Sequence, residues 1–318
     1  MTGSRDRVAR AFAPGHITGI FRPDVTSRDP RGRGSVGAGV VLELGVWAEA
    51  THSPGTRTRV QVEGDGPGPW PISEEAARRM AYGLPGRVTV RLLHQVPVGQ
   101  GFGTSAAGAL ATALAVGALA GRSRAEAVAV AHLSDLFGGG GLGGVSSILG
   151  GGLEVRVRPG IPPMGKAVHR PFPPSMLIGV VGKPIPSPEV LRDPRALRRI
   201  SQASAGWERL RDHPTVGQFL RVSERFTDRA GLSSPTIIRA VRSLRRCGAW
   251  AGQAMFGESF FAVPRSSSAR TKCLEWLREE ELPAVELHAA GSGARWVRSL
   301  PASLAGAVVR RRRAPQAF

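Results

Sequence analysis

Residues 96–116 read VPVGQGFGTSAAGALATALAV. Glycines at 99, 101 and 103 alternate with Val98, Gln100 and Phe102, two hydroxyls follow at Thr104 and Ser105, and no charged side chain comes before Arg122. The residues before this stretch, 87–96, alternate Val88, Val90 and Leu92 on one face, the period of a half-buried strand. The residues after it, 105–121, are rich in Ala and Gly, uncharged on every side and short of a membrane span, the pattern of a buried helix. Strand, glycine loop and buried helix together make an anion cradle. Glycine lets the backbone approach a ligand, and the helix start offers unpaired N–H groups at a positive dipole end.

Several phosphate loops could fit such a unit. A Walker A loop requires Lys-Ser/Thr after G-x-x-x-x-G, and no lysine is near; Lys166, Lys183 and Lys272 are the only ones in the chain. Gly101, Gly103 and Ala106 satisfy the dinucleotide pattern G-x-G-x-x-A, but that motif expects an acid at a strand end about 20 residues on. The nearest acid, Glu126, stands three residues after Ser123 as a capping box for a second helix running to Phe137.

The string Pro97-x-x-x-Gly101-Phe-Gly103-Thr104-Ser105-Ala106-Ala107 resembles the phosphate loop of the GHMP small-molecule kinases. Ala13-Pro14-Gly15-His16-Ile17-Thr18-Gly19 resembles that family's N-terminal segment, and residues 248–262 resemble its C-terminal glycine motif in a divergent form. GHITGIF near the start, GSVGAG at 34–39 and GGLEVRVRPG at 151–160 are similar to the archaeal pantoate kinases. The resemblance implies an α+β fold of two domains, a ribosomal protein S5 domain 2-like half and a ferredoxin-like half. It implies ATP-dependent phosphorylation of the primary hydroxyl of pantoate, giving 4-phosphopantoate for coenzyme A. The alternatives are another GHMP kinase for homoserine, shikimate or a mevalonate-like alcohol, and a nucleotide-binding paralogue with little catalysis.

The same resemblance implies roles. Pro97, Gly99, Gly101, Gly103, Thr104, Ser105 and Ala106 are expected to hold ATP; Ser105 and Asp135 to bind Mg2+ and serve catalysis; and His16, Ser35, Gly37 and Arg295 to meet the acceptor acid. The related kinases read G-L-G-D-V where this chain has Gly141-Leu142-Gly143-Gly144-Val145, so an aspartate that would assist the substrate hydroxyl is replaced by Gly144. Ser146 is the expected substitute, and an aspartate restored at 144 is expected to raise activity or leave it unchanged.

Composition bounds the rest. The formal charge is +19, with 43 Lys and Arg against 24 Asp and Glu. The arginines are scattered through every segment and Tyr82 is the only tyrosine, which disfavours a nucleic-acid partner. Cys247 and Cys273 are too few for a disulfide framework, and no secretion signal is visible, so a cytoplasmic location is expected. Strands are expected at Val8–Phe12, ended by Pro14 and Gly15, at Val40–Ala48 paired with Thr56–Glu63, and at 153–158, where Leu153, Val155 and Val157 alternate with Glu154, Arg156 and Arg158. The proline-rich crossing 159–174 marks the domain boundary, giving an ATP-binding half at 1–165 and a second half at 166–318 of helices on an antiparallel sheet. Exposed sheet edges there make a homodimer an expectation, and the tail Arg310–Arg313 reads as a solvated charge run.

Overall fold

The computed structural model describes residues 6–66, 68–184 and 187–301; the Arg310–Arg313 run lies outside them. The first part runs β1 (Arg7–Asp24), β2 (Gly34–Pro54), β3 (Arg59–Gly64), α1 (Pro71–Met80), β4 (Gly86–His94), α2 (Thr104–Leu119), α3 (Arg124–Phe137), the short turn α4 (Gly144–Ser147), β5 (Leu153–Arg158) and β6 (Lys166–Arg170). The second runs β7 (Met176–Val180), α5 (Ser187–Arg192), α6 (Pro194–Ala203), α7 (Trp207–Asp212), α8 (Val216–Arg229), α9 (Pro235–Arg246), β8 (Ala249–Gln253), β9 (Ser259–Pro264), α10 (Ser267–Glu279), β10 (Ala284–Leu287) and β11 (Arg295–Val297).

Two sheets organise these elements. The seven-stranded sheet has the order β11-β1-β2-β4-β3, and β5 joins it on β2 with β6 beyond. The other is four-stranded, order β10-β7-β9-β8, and antiparallel throughout. The expected boundary at 165/166 falls between β5 and β6, which pair with each other, so both belong to the first sheet. The chain also returns to that sheet at its far end, where β11 lies on β1.

Two local expectations are corrected. Pro14 and Gly15 do not end the first strand: β1 passes through them, with register shifts at Pro14/His16 and Thr18/Ile20. A bulge accommodates residues that cannot continue a regular ladder and re-aims the strand. The segment expected to pair with β2, realised as β3, pairs instead with β4, in parallel. A parallel partner requires a crossover, and α1 supplies it; PISEEAARRM has Pro in its first turn and Arg78–Glu74 and Arg79–Glu75 pairs at i,i+4.

Helix α2 is the axle of the first half. Fourteen of its sixteen residues are buried, against α1, α3 and the strands β1 and β2. Small Ala and Gly side chains let neighbours approach on every side, and Thr112 is the one polar side chain buried in the middle of the helix. Ser123 and Glu126 form the expected reciprocal cap of α3, whose last turn carries Asp135 into the interior.

Candidate active site

The loop from Gly99 to Gly103 holds its shape through backbone that side chains resist. Gly101 and Gly103 have φ of 75° and 69°, and a Cβ on Gly101 would lie 2.6 Å from the Met255 carbonyl oxygen. Gly103 caps α2 with no side-chain hydrogen bond. The first intrahelical bond from this end is Ala107 N–H to the Gly103 carbonyl, so the amides of Thr104, Ser105 and Ala106 are left for a ligand.

The C-terminal glycine motif braces this loop from the other side. The Ser259 hydroxyl donates to the Gln100 carbonyl, and the Gln100 side chain donates to the Gly182 carbonyl at 2.9 Å. The turn after β8 brings Met255 and Phe256 to the cavity wall, Phe256 at a φ of 67° that non-glycine residues seldom adopt. On the first-half side the β1 bulge delivers His16, whose N–H donates to the Phe102 carbonyl at 3.0 Å.

These elements enclose a cleft of about 330 Å3. Of the sequence candidates, His16, Ser35, Gly99, Gly101, Gly103, Thr104, Ser105, Ala106 and Asp135 all line it. Gly37 does not, but it abuts the Arg156 guanidinium that does. Pro97 precedes the loop without lining the cleft.

Two candidates are placed elsewhere. Arg295 is exposed on β11 opposite Phe12, its guanidinium 4.9 Å from that ring and hydrogen-bonded to Ser292 and Gly293. The segment GSGARWV closes the outer edge of the sheet instead of a binding site. Ser146 is buried with its hydroxyl donating to the Gly143 carbonyl at 3.0 Å, off the cavity wall. Gly144 does line the cleft, but a Cβ there would stand 2.5 Å from the Ala106 Cβ. Helix α2 therefore occupies the space an aspartate at 144 would need, against the expectation that one could be restored freely.

Asp135 is the carboxylate of the cleft. It is 2% exposed, burial pushes its pKa up to about 7, and a hydrogen bond from Ser105 pulls it partway back. Its Oδ1 is buried without a partner. A buried, half-satisfied carboxyl beside a hydroxyl suits a hard cation that brings its own positive charge and further oxygens. Among the described residues no three His, Cys, Asp or Glu side chains gather in one place, so a cation here would draw on the phosphate it accompanies.

The sequence reading missed the floor of the cleft. Glu154 and Arg156, read only as the charged positions of an alternating strand, are 0% and 2% exposed. Arg156 pairs with Glu154 and donates to Ser147, whose hydroxyl donates to the Gly143 carbonyl at 2.8 Å. The Arg156 Nε is buried without a partner. Glu154 also meets His16 Nε2 at 2.9 Å. Burial raises the cost of charge on Glu154, but the adjacent Arg156 and His16 outweigh it and hold its pKa below the usual value. Burial lowers the His16 pKa, against the pull of Glu154, leaving a neutral ring. The cleft wall also carries an aromatic pair: Trp70 stacks on His94 with centroids 4.7 Å apart.

Comparison with known proteins agrees with this geometry. Residues 72–152 match the GHMP kinases N terminal domain, a span that includes the loop, α2, α3 and the Gly144 turn. The pantoate kinase of Thermococcus kodakarensis is 32% identical over 284 residues, covering 86% of this chain and 93% of that protein. The pantoate kinase of Methanospirillum hungatei is 29% identical over 267 residues, covering 82% and 89%. A solved structure described as a phosphotransferase related to the CoA biosynthesis pathway superposes with a TM-score of 0.83 at 28% identity, covering 93% of this chain and all of that one. With an unpaired helix start, a buried acid and a buried guanidinium facing one cleft, and with these relatives along most of its length, the chain belongs to the GHMP kinases, among the pantoate kinases.

Proposed function

We propose that this small-molecule kinase transfers the γ-phosphoryl group of ATP to the primary hydroxyl of pantoate, giving 4-phosphopantoate. One observation carries the reading: a single cleft presents an anion cradle at the start of α2, an acid at Asp135 and a buried, incompletely satisfied cation at Arg156. Phosphoryl transfer is chiefly positioning and charge neutralisation, and those three groups divide that work. The amides of Thr104, Ser105 and Ala106, with the hydroxyls of Thr104 and Ser105, hold the phosphates. Trp70 offers the purine a flat apolar face. Ser105 and Asp135 would hold Mg2+, which supplies charge neutralisation for the phosphoryl oxygens. Arg156 and Ser35 take the pantoate carboxylate; Arg156 presents a planar fork that is already charged and already fixed by Glu154.

Gly144 favours a second reading, a nucleotide-binding relative with little turnover, because the carboxylate expected beside the hydroxyl is missing. A panel of small hydroxy acids with Mg-ATP, followed by ADP release, decides between them. The expected result is turnover with pantoate above homoserine, shikimate and mevalonate. Nucleotide binding without ADP release on any member favours the second reading. Faster turnover of another alcohol reassigns the substrate.

A further inference from the structure

We propose that His16, oriented by Glu154, takes the proton from the acceptor hydroxyl in this chain, in the role that Gly144 leaves without a side chain. The inference rests on the kinase reading above only in taking an alcohol as acceptor. The base has to come from the cleft wall, and few groups there can accept a proton. Ser146 is spent on the Gly143 carbonyl, Arg156 is a cation, Asp135 is committed with Ser105 to the metal in the reading above, and an aspartate at 144 is excluded by Ala106.

His16 has the geometry. It is buried, lines the cleft, and its backbone lies against Gly103, where a Cβ would be 3.3 Å from the His16 nitrogen. Nε2 faces the Glu154 carboxylate at 2.9 Å, which selects the tautomer with hydrogen on Nε2. Nδ1 is then an acceptor, and its one neighbour is the Thr18 hydroxyl at 3.4 Å, itself on the cleft wall. A carboxylate on one nitrogen of an imidazole whose second nitrogen is left as an acceptor is a recurrent acid–base arrangement. The charged or titratable groups facing the ring are Glu154 and Arg156 from β5 and His169 from β6; burial, and after it the Arg156 charge, favour the neutral ring, and Glu154 opposes them.

The step balances. The hydroxyl O–H bond breaks with its proton passing to Nδ1, directly or across Thr18. The hydroxyl oxygen bonds to the γ-phosphorus, and the bond from that phosphorus to the bridging oxygen breaks and releases ADP. The imidazolium returns its proton to solvent as the cleft opens for product.

The test is the pH dependence of kcat/KM for the acceptor at saturating Mg-ATP, which keeps Asp135 ionised and out of the profile, measured with whichever hydroxy acid the wild type turns over fastest. Wild type should show an acid limb below pH 6.5. His16→Gln should lower kcat about 10²-fold, keep KM for ATP within about threefold, and lose that limb. Glu154→Gln should move the limb to lower pH, since the carboxylate raises the ring's proton affinity. His16→Ala should regain activity with added imidazole. A wild-type profile flat to pH 5 overturns the proposal without any variant, and so does a His16→Gln enzyme that keeps the limb or loses only acceptor affinity. Failure of the wild type on pantoate with turnover of another alcohol sinks the substrate reading and leaves this one standing.

Discussion

Asp135 is where chemistry and stability oppose each other most directly. Its folded-state pKa, about 7, lies above the ordinary 3.8, so the folded chain prefers the protonated form. The sign follows: ligand-free stability is greatest at low pH, where the acid is protonated in both states, and this contribution is lost as pH rises from about 4 to about 7. At pH 8 the buried charge costs on the order of a few kcal/mol. Asp135→Asn should therefore raise the ligand-free Tm at pH 8, with the gain vanishing near pH 4, while turnover falls at least about 10²-fold. Melting curves at the two pH values check it; an equal shift at both would mean that burial of the charge is not the cause. Gly144 carries the reverse lesson. Because the Ala106 Cβ stands 2.5 Å from where a side chain would begin, and the Asp135 Oδ2 lies 3.7 Å away, Gly144→Asp adds a clash and a second negative charge at once. It should lower the Tm by several degrees and weaken Mg-ATP protection. A variant as stable as wild type and more active would show that α4 can move away from α2.

At the scale of elements, the loop before α2 and the turn after β8 act as one piece, although about 150 residues of chain separate them. Gly101→Ala puts a Cβ 2.6 Å from the Met255 carbonyl and 2.7 Å from that of Ala254, at a φ of 75°. Both partners are backbone, so the strain has no flexible side chain to absorb it. We expect a loss of about 1–3 kcal/mol in denaturant unfolding and loss of the thermal shift by Mg-ATP; a normal nucleotide shift would mean that the turn does not brace the loop. The elements that the sequence makes legible are those with their own signals: α2 by its unbroken small apolar run, α3 by Ser123 and Glu126, α9 by Ser234-Pro235. What escapes it is set by partners distant in the chain. Alternation at 153–158 marks a strand but not which face is dry, and β5 is covered on both, which buries Glu154 and Arg156. The helical stretch near 194–211 breaks at Ser204–Gly206 between α6 and α7, where Gly206 takes a φ of 102°. The phosphate loop was readable because backbone conformation dictates its residue types. The acceptor floor was not, because a buried ion pair looks like a solvated one until its surroundings are known.

For the whole molecule, the question is what an excess of 19 positive charges does for an enzyme whose two substrates are anions. Most ion pairs are at the surface, such as Arg22–Glu208 and Arg239–Glu280, and contribute little to stability. Beyond those pairs many arginines remain uncompensated, and their summed field extends into solvent over a Debye length. Among the described residues no helix is long and apolar enough to cross a membrane. The cleft lies where the two sheets' elements meet, with Leu191, Met255 and Phe256 from one side and the α2 start from the other. Low-dielectric walls of this kind focus a positive field toward an opening. Raising ionic strength from about 20 mM to about 500 mM shortens the screening length from roughly 20 Å to roughly 4 Å. Encounter with ATP and with the acceptor acid should slow, while the chemical step, shielded within the cleft, should not. We therefore expect kcat/KM for both substrates to fall several-fold across that range with kcat changed less than about twofold, and a neutral osmolyte at matched osmolality to have no such effect. A parallel fall in kcat would point to salt acting on the fold, and an unchanged kcat/KM would mean that the arginine excess has no part in gathering substrate.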